Sequence, residues 1–285
     1  FNQLIYGPNE ILGANVVGTL ESIQAITIED VKSYHQRNVS ASVCSIHIVG
    51  DVSPRLAVES LSELAQDWNS RNVNIPNYHI PDQSINGQIF FVDVPRASQS
   101  VIRVGAMGLS ETNPDFFPAT IMNLRLGGTF LSHLNQVLRE QKGYSYGASS
   151  RFSGSNNPGP FIIATRVRSN VTAESVHLIN RILAEYGSKF TERDLEATQN
   201  YMIRSNVRGF ETLRSKIRML EKISALGFPF NYVIQREREV REMTLNRIKE
   251  LAAEHLDPQK MVFLVVGDAR TQLDRFTELG LEPPT

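Results

Sequence analysis

One stretch of the chain, Leu138 to Phe152, reads LREQKGYSYGASSRF and gathers residues suited to acting on a carbonyl. A guanidinium and a phenol hydroxyl both donate hydrogen bonds, and both stabilise a carbonyl oxygen or the oxyanion that develops from it. Arg139, Tyr144 and Tyr146 supply those groups. The same residues also suit a plain helix-to-strand corner, with Arg139 covering helix carbonyls and the tyrosines packing at the start of a strand. Residue type and spacing leave both readings open.

Metal chemistry has weaker support. A zinc site on a helix needs ligands at i and i+4 with a carboxylate nearby to activate water. No two of the six histidines, His35, His47, His79, His133, His177 and His255, have that spacing. The run from Leu251 to His255 comes near H-x-x-E-H but puts Leu at the first ligand position, so it reads as a solvated helix end. His47, within an apolar run, reads as a core residue, and His133 as packed or surface. The single cysteine, Cys44, excludes an internal disulfide and a thiolate metal site, and its setting VCSIHIVG predicts a buried strand. Leu126-Gly127-Gly128-Thr129 lacks the Gly-Lys-Ser/Thr of a phosphate loop, so a close-packed bend is expected. Arginines and glutamates interleaved between 211 and 242 predict a solvated, self-paired helix surface.

A length of 285 residues with 41% hydrophobic and 21% charged side chains is a normal globular balance and allows a sizeable core. A net charge of −1 gives no argument for nucleic acid or an anionic membrane. No apolar run approaches the roughly 20 residues that span a bilayer. The chain opens at Phe1, as a processed chain or a fragment does.

A long-period repeat sets the domain organisation. Residues 23–52 read IQAITIEDVKSYHQRNVSASVCSIHIVGDV and residues 240–269 read VREMTLNRIKELAAEHLDPQKMVFLVVGDA. Without a gap, Thr27 meets Thr244, Val31 meets Ile248, and Val49-Gly50-Asp51 meets Val266-Gly267-Asp268. Each copy reads as a helix opened by Thr, then a strand ending at Gly-Asp. The expected division is therefore 1–75 as the closing part of a first domain whose start is missing, 76–87 as a linker, and 88–285 as a complete second domain. Most of that first domain, on the order of 130 residues, would lie outside this chain. Within 88–285 the pattern gives two strands before Ser110, helical spacing over 114–141, strands near 144–152 and 160–167, helices over 171–189, 191–208 and 211–226, and the closing Thr244 helix and Val262 strand. This order predicts an α+β fold: a mixed, mostly antiparallel sheet with helices packed on one face.

Several motifs together resemble the pitrilysin/insulinase family of zinc peptidases, which includes the mitochondrial processing peptidase. Gly18-Thr19-Leu20-Glu21-Ser22-Ile23 and Ile48-Val49-Gly50-Asp51-Val52 are similar to the close of such a family domain. Val92 to Ser100, Leu126 to Ser132, Leu138-Arg139-Glu140 and Gly143-Tyr144-Ser145-Tyr146 are similar to the opening of the next. In that family one domain carries H-x-x-E-H and a partner domain closes over the substrate, supplying an Arg and, seven residues on, a Tyr. The resemblance thus implies catalytic roles for Arg139 and Tyr146, with Tyr144 as a substrate-binding neighbour. Anchored on Gly128-Thr129, the zinc positions fall on Ala119, Met122 and Asn123, so the resemblance implies a zinc-free domain. It implies no cofactor on this chain, zinc on a separate domain or subunit, and a peptide substrate, with no nucleic acid and no membrane span. The alternative is a non-catalytic relative that binds peptides or scaffolds an assembly.

Overall fold

The structure is a computed structural model that describes residues 1–75, 78 and 85–285, with backbone alone at 207 and 208. Most of the expected linker over 76–87 lies outside the described residues. The chain divides into two compact units: Phe1–Gly13, Ile80–Arg204 and Val233–Thr285 form one, and Ala14–His79 with Ser205–Tyr232 form the other.

The helices are, in chain order, α1 (Asn2–Tyr6), α2 (Leu20–Ala25), α3 (Ile28–Asn38), α4 (Pro54–Ser60), α5 (Ser62–Asp67), α6 (Phe116–Asn123) and α7 (His133–Asn135). They continue as α8 (Thr172–Lys189), α9 (Glu192–Asn206), α10 (Leu213–Leu226), α11 (Tyr232–Glu242), α12 (Leu245–His255) and α13 (Ala269–Glu278). The strands are β1 (Ile89–Asp93), β2 (Gln99–Met107), β3 (Ser145–Phe152), β4 (Pro160–Arg168) and β5 (Val262–Gly267).

In the first unit the five strands form one sheet in the order β1-β5-β2-β4-β3. β1 runs parallel to β5 and the other pairs are antiparallel, the mixed, mostly antiparallel sheet that the sequence predicts. The last strand in sequence inserts between the first two. Successive side chains of a strand point to opposite faces. Ile102 and Val104 of β2, Phe161 and Ile163 of β4, and Phe263 and Val265 of β5 are therefore all buried under helices on one face. Ile248 and Leu251 of α12 join that core fully buried, each contributing about 1.5–3 kcal/mol relative to exposure. Part of the other face is covered by α1, whose Ile5 and Tyr6 pack with Val262 of β5, Phe90 and Met107.

The sequence reading needs correction at several elements. The helical spacing over 114–141 is broken: α6 passes into a π-helical turn, Leu124–Gly128, and α7 into a second, Gln136–Gln141. At the first turn the glycines pack closely, as expected: a Cβ on Gly127 would collide with the Ser150 backbone nitrogen and hydroxyl. The sheet unit does not close on β5 but carries α13 after it, with Phe276 buried edge-on to Phe91. His255 is not a solvated helix end; its ring packs edge-on to Phe152 at 6.1 Å. Arg236 lies over the Phe117 ring at 4.5 Å as well as pairing with Glu239, so the α11 surface is only partly solvated.

In the second unit, Thr19 and Thr27 cap α2 and α3 with reciprocal capping boxes. Each box satisfies two otherwise unpaired N–H donors at its helix start. The repeat survives in detail. Thr27 opens an 11-residue α3 and Thr244 an 11-residue α12, and Ser40 and Asp257 each cap a three-residue 3-10 turn, Ala41–Val43 and Pro258–Lys260. The copies then part. Where the second forms β5, residues 44–49 form no strand, so Cys44 is exposed and His47 half-buried, contrary to the core positions expected for them. A strand needs a neighbour to take its N–H and C=O groups. β5 has β1 and β2, and residues 44–49 pair with no strand among the described residues.

Candidate functional site

Arg139, Tyr144 and Tyr146 are brought to one cleft. It has a volume of about 600 Å³ and is lined also by Gln99, Lys142, Ser145, Arg166 and Arg168. Arg139 projects from the second π-helical turn, a wide form of helix that recurs at functional sites. That turn closes with Tyr144 N donating to the Leu138 carbonyl at 2.8 Å, and Gly143 then reverses the chain at φ 62°. The left-handed backbone there favours glycine. The Arg139 guanidinium stacks over the Phe130 ring at 4.3 Å, and its Nη1 donates to Glu140 Oε1 at 2.6 Å. A guanidinium has five N–H donors, so this pairing leaves others for a ligand.

Tyr146 is held out by a bulge. The β3–β4 register shifts between Ser145 and Ala148, and such shifts re-aim a side chain. Hydroxyl groups fix the irregular backbone: Gly147 N donates to Ser145 Oγ at 2.9 Å, and Thr165 Oγ1 donates to the Gly147 carbonyl at 2.9 Å. Tyr146 is 91% exposed in consequence. Tyr144 is half-buried, its ring packed partly on the core while it lines the cleft.

Asn135 ties the two carriers together. Its side chain donates to the Ala148 carbonyl at 2.8 Å and accepts from Ala148 N at 2.8 Å, so the helical segment bearing Arg139 is hydrogen-bonded to the strand bearing Tyr146. One turn before Arg139, this buried Asn among Leu134, Val137 and Leu138 was the available signal, and sequence reasoning missed it. It also missed Ser145 and Thr165, whose partners are set by strand pairing.

The positions implied for zinc lack the donors. Ala119 and Met122 are fully buried, and the Met122 carbonyl accepts from Tyr186 Oη at 2.8 Å. Asn123 is buried and spends its amide on β3, donating to the Ser150 carbonyl at 2.9 Å and accepting from Ser150 Oγ at 2.5 Å. Neither Ala nor Met offers a zinc ligand or a base for water, so these residues do not fit the metal. Among the described residues no three His, Cys, Asp or Glu side chains are grouped to hold an ion.

Near this region, burial and then the neighbouring Arg125 hold His133 below the usual histidine range. Burial likewise lowers His255. Burial pushes the Asp194 carboxyl up, but hydrogen bonds from Thr191 and Arg125 more than offset this and leave it below its ordinary value.

A family model described as Peptidase M16 inactive domain matches residues 25–202. Among curated relatives, the Non-peptidase homolog YmxG of Helicobacter pylori is 21% identical over 266 residues, 92% of this chain and 60% of that protein. The Uncharacterized zinc protease YmxG of Bacillus subtilis is 21% identical over 260 residues, 88% of this chain and 60% of that protein. This chain spans about three fifths of the length of these relatives, whose matched shares are both 60%. The crystal structure of a peptidase M16 inactive domain from Pseudomonas fluorescens has the same fold, with a TM-score of 0.84 at 23% identity over 94% of this chain and 64% of that one. With more than half of its residues matched by the family model, the chain belongs to the peptidase M16 inactive-domain family.

Proposed function

We propose that this chain is the substrate-closing, zinc-free part of a zinc metalloendopeptidase that acts on peptides. Zinc is held by a separate domain or subunit, which supplies the metal-activated water. On this chain, Arg139 and Tyr146 donate hydrogen bonds to the peptide carbonyl and bind it more tightly as negative charge develops, the condition for lowering a barrier. Tyr144 forms the adjoining wall. The observation that carries the reading is the joint placement of Arg139 and Tyr146 on one cleft by a π-helical turn and a bulge that Asn135 links.

The division of the chain at 1–75, 76–87 and 88–285 belongs to the same proposal. For residues 14–75 its support is the contrast between the copies: Val31 is 53% exposed where Ile248 is 0%, and Tyr34 is 63% exposed where Leu251 is 0%. Side chains that form a core in one copy face water in the other, as they do when the elements that cover them belong to the rest of a first domain.

The test is peptide cleavage by this chain, or its full-length parent, together with the zinc-bearing partner. Arg139→Ala and Tyr146→Phe are each expected to lower kcat by on the order of tenfold to a thousandfold, the range for loss of one oxyanion donor. Unchanged turnover in both variants sinks the catalytic assignment. The second reading, a non-catalytic peptide-binding or scaffolding relative, draws on the name of the Helicobacter pylori homologue. A full-length parent with no H-x-x-E-H in itself or any partner decides for it.

A further inference from the structure

We propose that the part of the sheet's second face left uncovered by α1, next to Arg139 and Tyr146, selects peptides that carry several carboxylates close to the bond to be cut. This rests on the cleft described above as the place where the peptide carbonyl sits. In the β2–β4 register Gln99 faces Arg168, Val101 faces Arg166, and Arg103 faces Ala164. Alternation along each strand puts all six on the face away from the main core, and Ser149 and Arg151 of β3, opposite Ala164 and Ile162, continue it. Arg103 and Arg166 are diagonal neighbours, about 7–8 Å apart at the backbone, with Arg168 two residues further.

Charge on this face is one-sided. No Asp or Glu occurs anywhere in β2, β3, β4 or β5. The one acidic residue of β1, Asp93, accepts from Ala269 N at 2.9 Å. Elsewhere several arginines are paired, Arg125 with Asp194, Arg241 with Glu237, Arg247 with Asp115 and Arg275 with Glu174, while others on helix surfaces, such as Arg193 and Arg270, have no ion pair among the described residues. Arg103, Arg151, Arg166 and Arg168 have no ion-pair partner among the described residues, in a chain with 29 basic and 30 acidic side chains. Placing like charges side by side opposes folding, and an anionic ligand removes that opposition.

The cationic face is continuous with the reaction cleft. Arg166 and Arg168 line the cleft of Arg139 and Tyr146, where the lining carboxylate, Glu140, is paired with Arg139, and a second cleft of about 430 Å³, lined by Arg103, Val101, Ala164 and Thr165, shares Gln99, Tyr146 and Arg166 with it. An extended peptide advances about 3.3 Å per residue, so arginines on this face reach carboxylates within roughly four residues of the carbonyl. A nucleic-acid face on a sheet adds two or three stacking aromatics to its cations. Here the strand neighbours of the arginines are Val101, Ala164, Leu264 and Val266, and none of them is aromatic.

The test uses the full chain and three fluorescein-labelled dodecapeptides that differ only in four central positions: Glu, Gln or Lys. Anisotropy titrations are expected to show the Glu peptide bound at least tenfold more tightly than the Gln peptide, weakening as salt rises. Arg166→Gln with Arg168→Gln should abolish that preference, and Arg166→Glu with Arg168→Glu should transfer it to the Lys peptide. Arg238→Gln, on the distant α11 surface, should leave it intact. Equal binding of the Glu and Gln peptides overturns the proposal, as does tighter binding of a 12-nucleotide single-stranded DNA. In the zinc-containing assembly, the Arg166/Arg168 variants should raise KM for the Glu peptide with kcat kept. If Arg139→Ala and Tyr146→Phe leave turnover unchanged while the Glu preference persists, the catalytic reading fails and the acidic-peptide face stands.

Discussion

At the scale of single residues, the types of Arg139 and Tyr146, a guanidinium and a phenol able to donate, are visible in the sequence, while their placement is not. Their types and separation are local facts that a linear reading captures. The link from Asn135 to Ala148 crosses from helix to strand and leaves no periodic trace. We expect Asn135→Leu to cost about 2–4 kcal/mol in urea unfolding, because it keeps the volume but strands the buried Ala148 N–H and C=O. A loss below about 0.5 kcal/mol, the scale of an unremarkable surface change, would remove Asn135 from its positioning role. The same logic explains why Asn123 is not a degraded ligand: its two bonds to Ser150 hold the edge strand β3.

At the scale of elements, the repeat was legible because capping threonines and apolar spacing belong to each helix alone. α3 and α12 match in length and cap for that reason. The strand expected over Cys44 to Gly50 was misread because a strand is a relation between chains, and apolar composition says nothing of whether a neighbour exists. The breaks at Leu124–Gly128 and Gln136–Gln141 escaped notice since a π-helical turn nearly preserves the spacing of an α-helix. Paired substitutions test the domain division. Ile248→Ala should cost about 2–5 kcal/mol and Val31→Ala less than about 0.5 kcal/mol in this chain. In a full-length parent Val31→Ala should become costly too; if it stays neutral there, the first-domain assignment of residues 14–75 falls. Hydrogen exchange gives a parallel reading, with 262–267 protected on the order of a hundredfold or more over 44–49.

At the scale of the whole molecule, two half-buried histidines set an acid limit. His133 and His255 both titrate below the ordinary histidine value in the folded chain, and His255 Nε2 is buried without a hydrogen-bond partner among the described residues. Between the folded pKa and the unfolded value of about 6.5, the unfolded chain binds more protons, so stability falls as pH drops through that window and is complete above it. The melting temperature should therefore decline from about pH 6.5 downward, well before carboxylates held below their ordinary range, Asp194 among them, begin to protonate. Replacing both histidines by Gln should flatten the slope between pH 5 and 6.5; an unchanged slope would assign it elsewhere. No helix among the described residues is long and apolar enough to cross a membrane, and in the second unit Val16, Leu20, Ile23, Ile28 and Val31 face water. Exposed apolar side chains in such number, where they form one patch, mark an interface or an aggregation hazard. The practical consequence concerns production: expressed alone, this chain should partition into inclusion bodies or emerge with chaperones attached, and on the proposed domain division its soluble yield should rise when the rest of the first domain is made in the same cell.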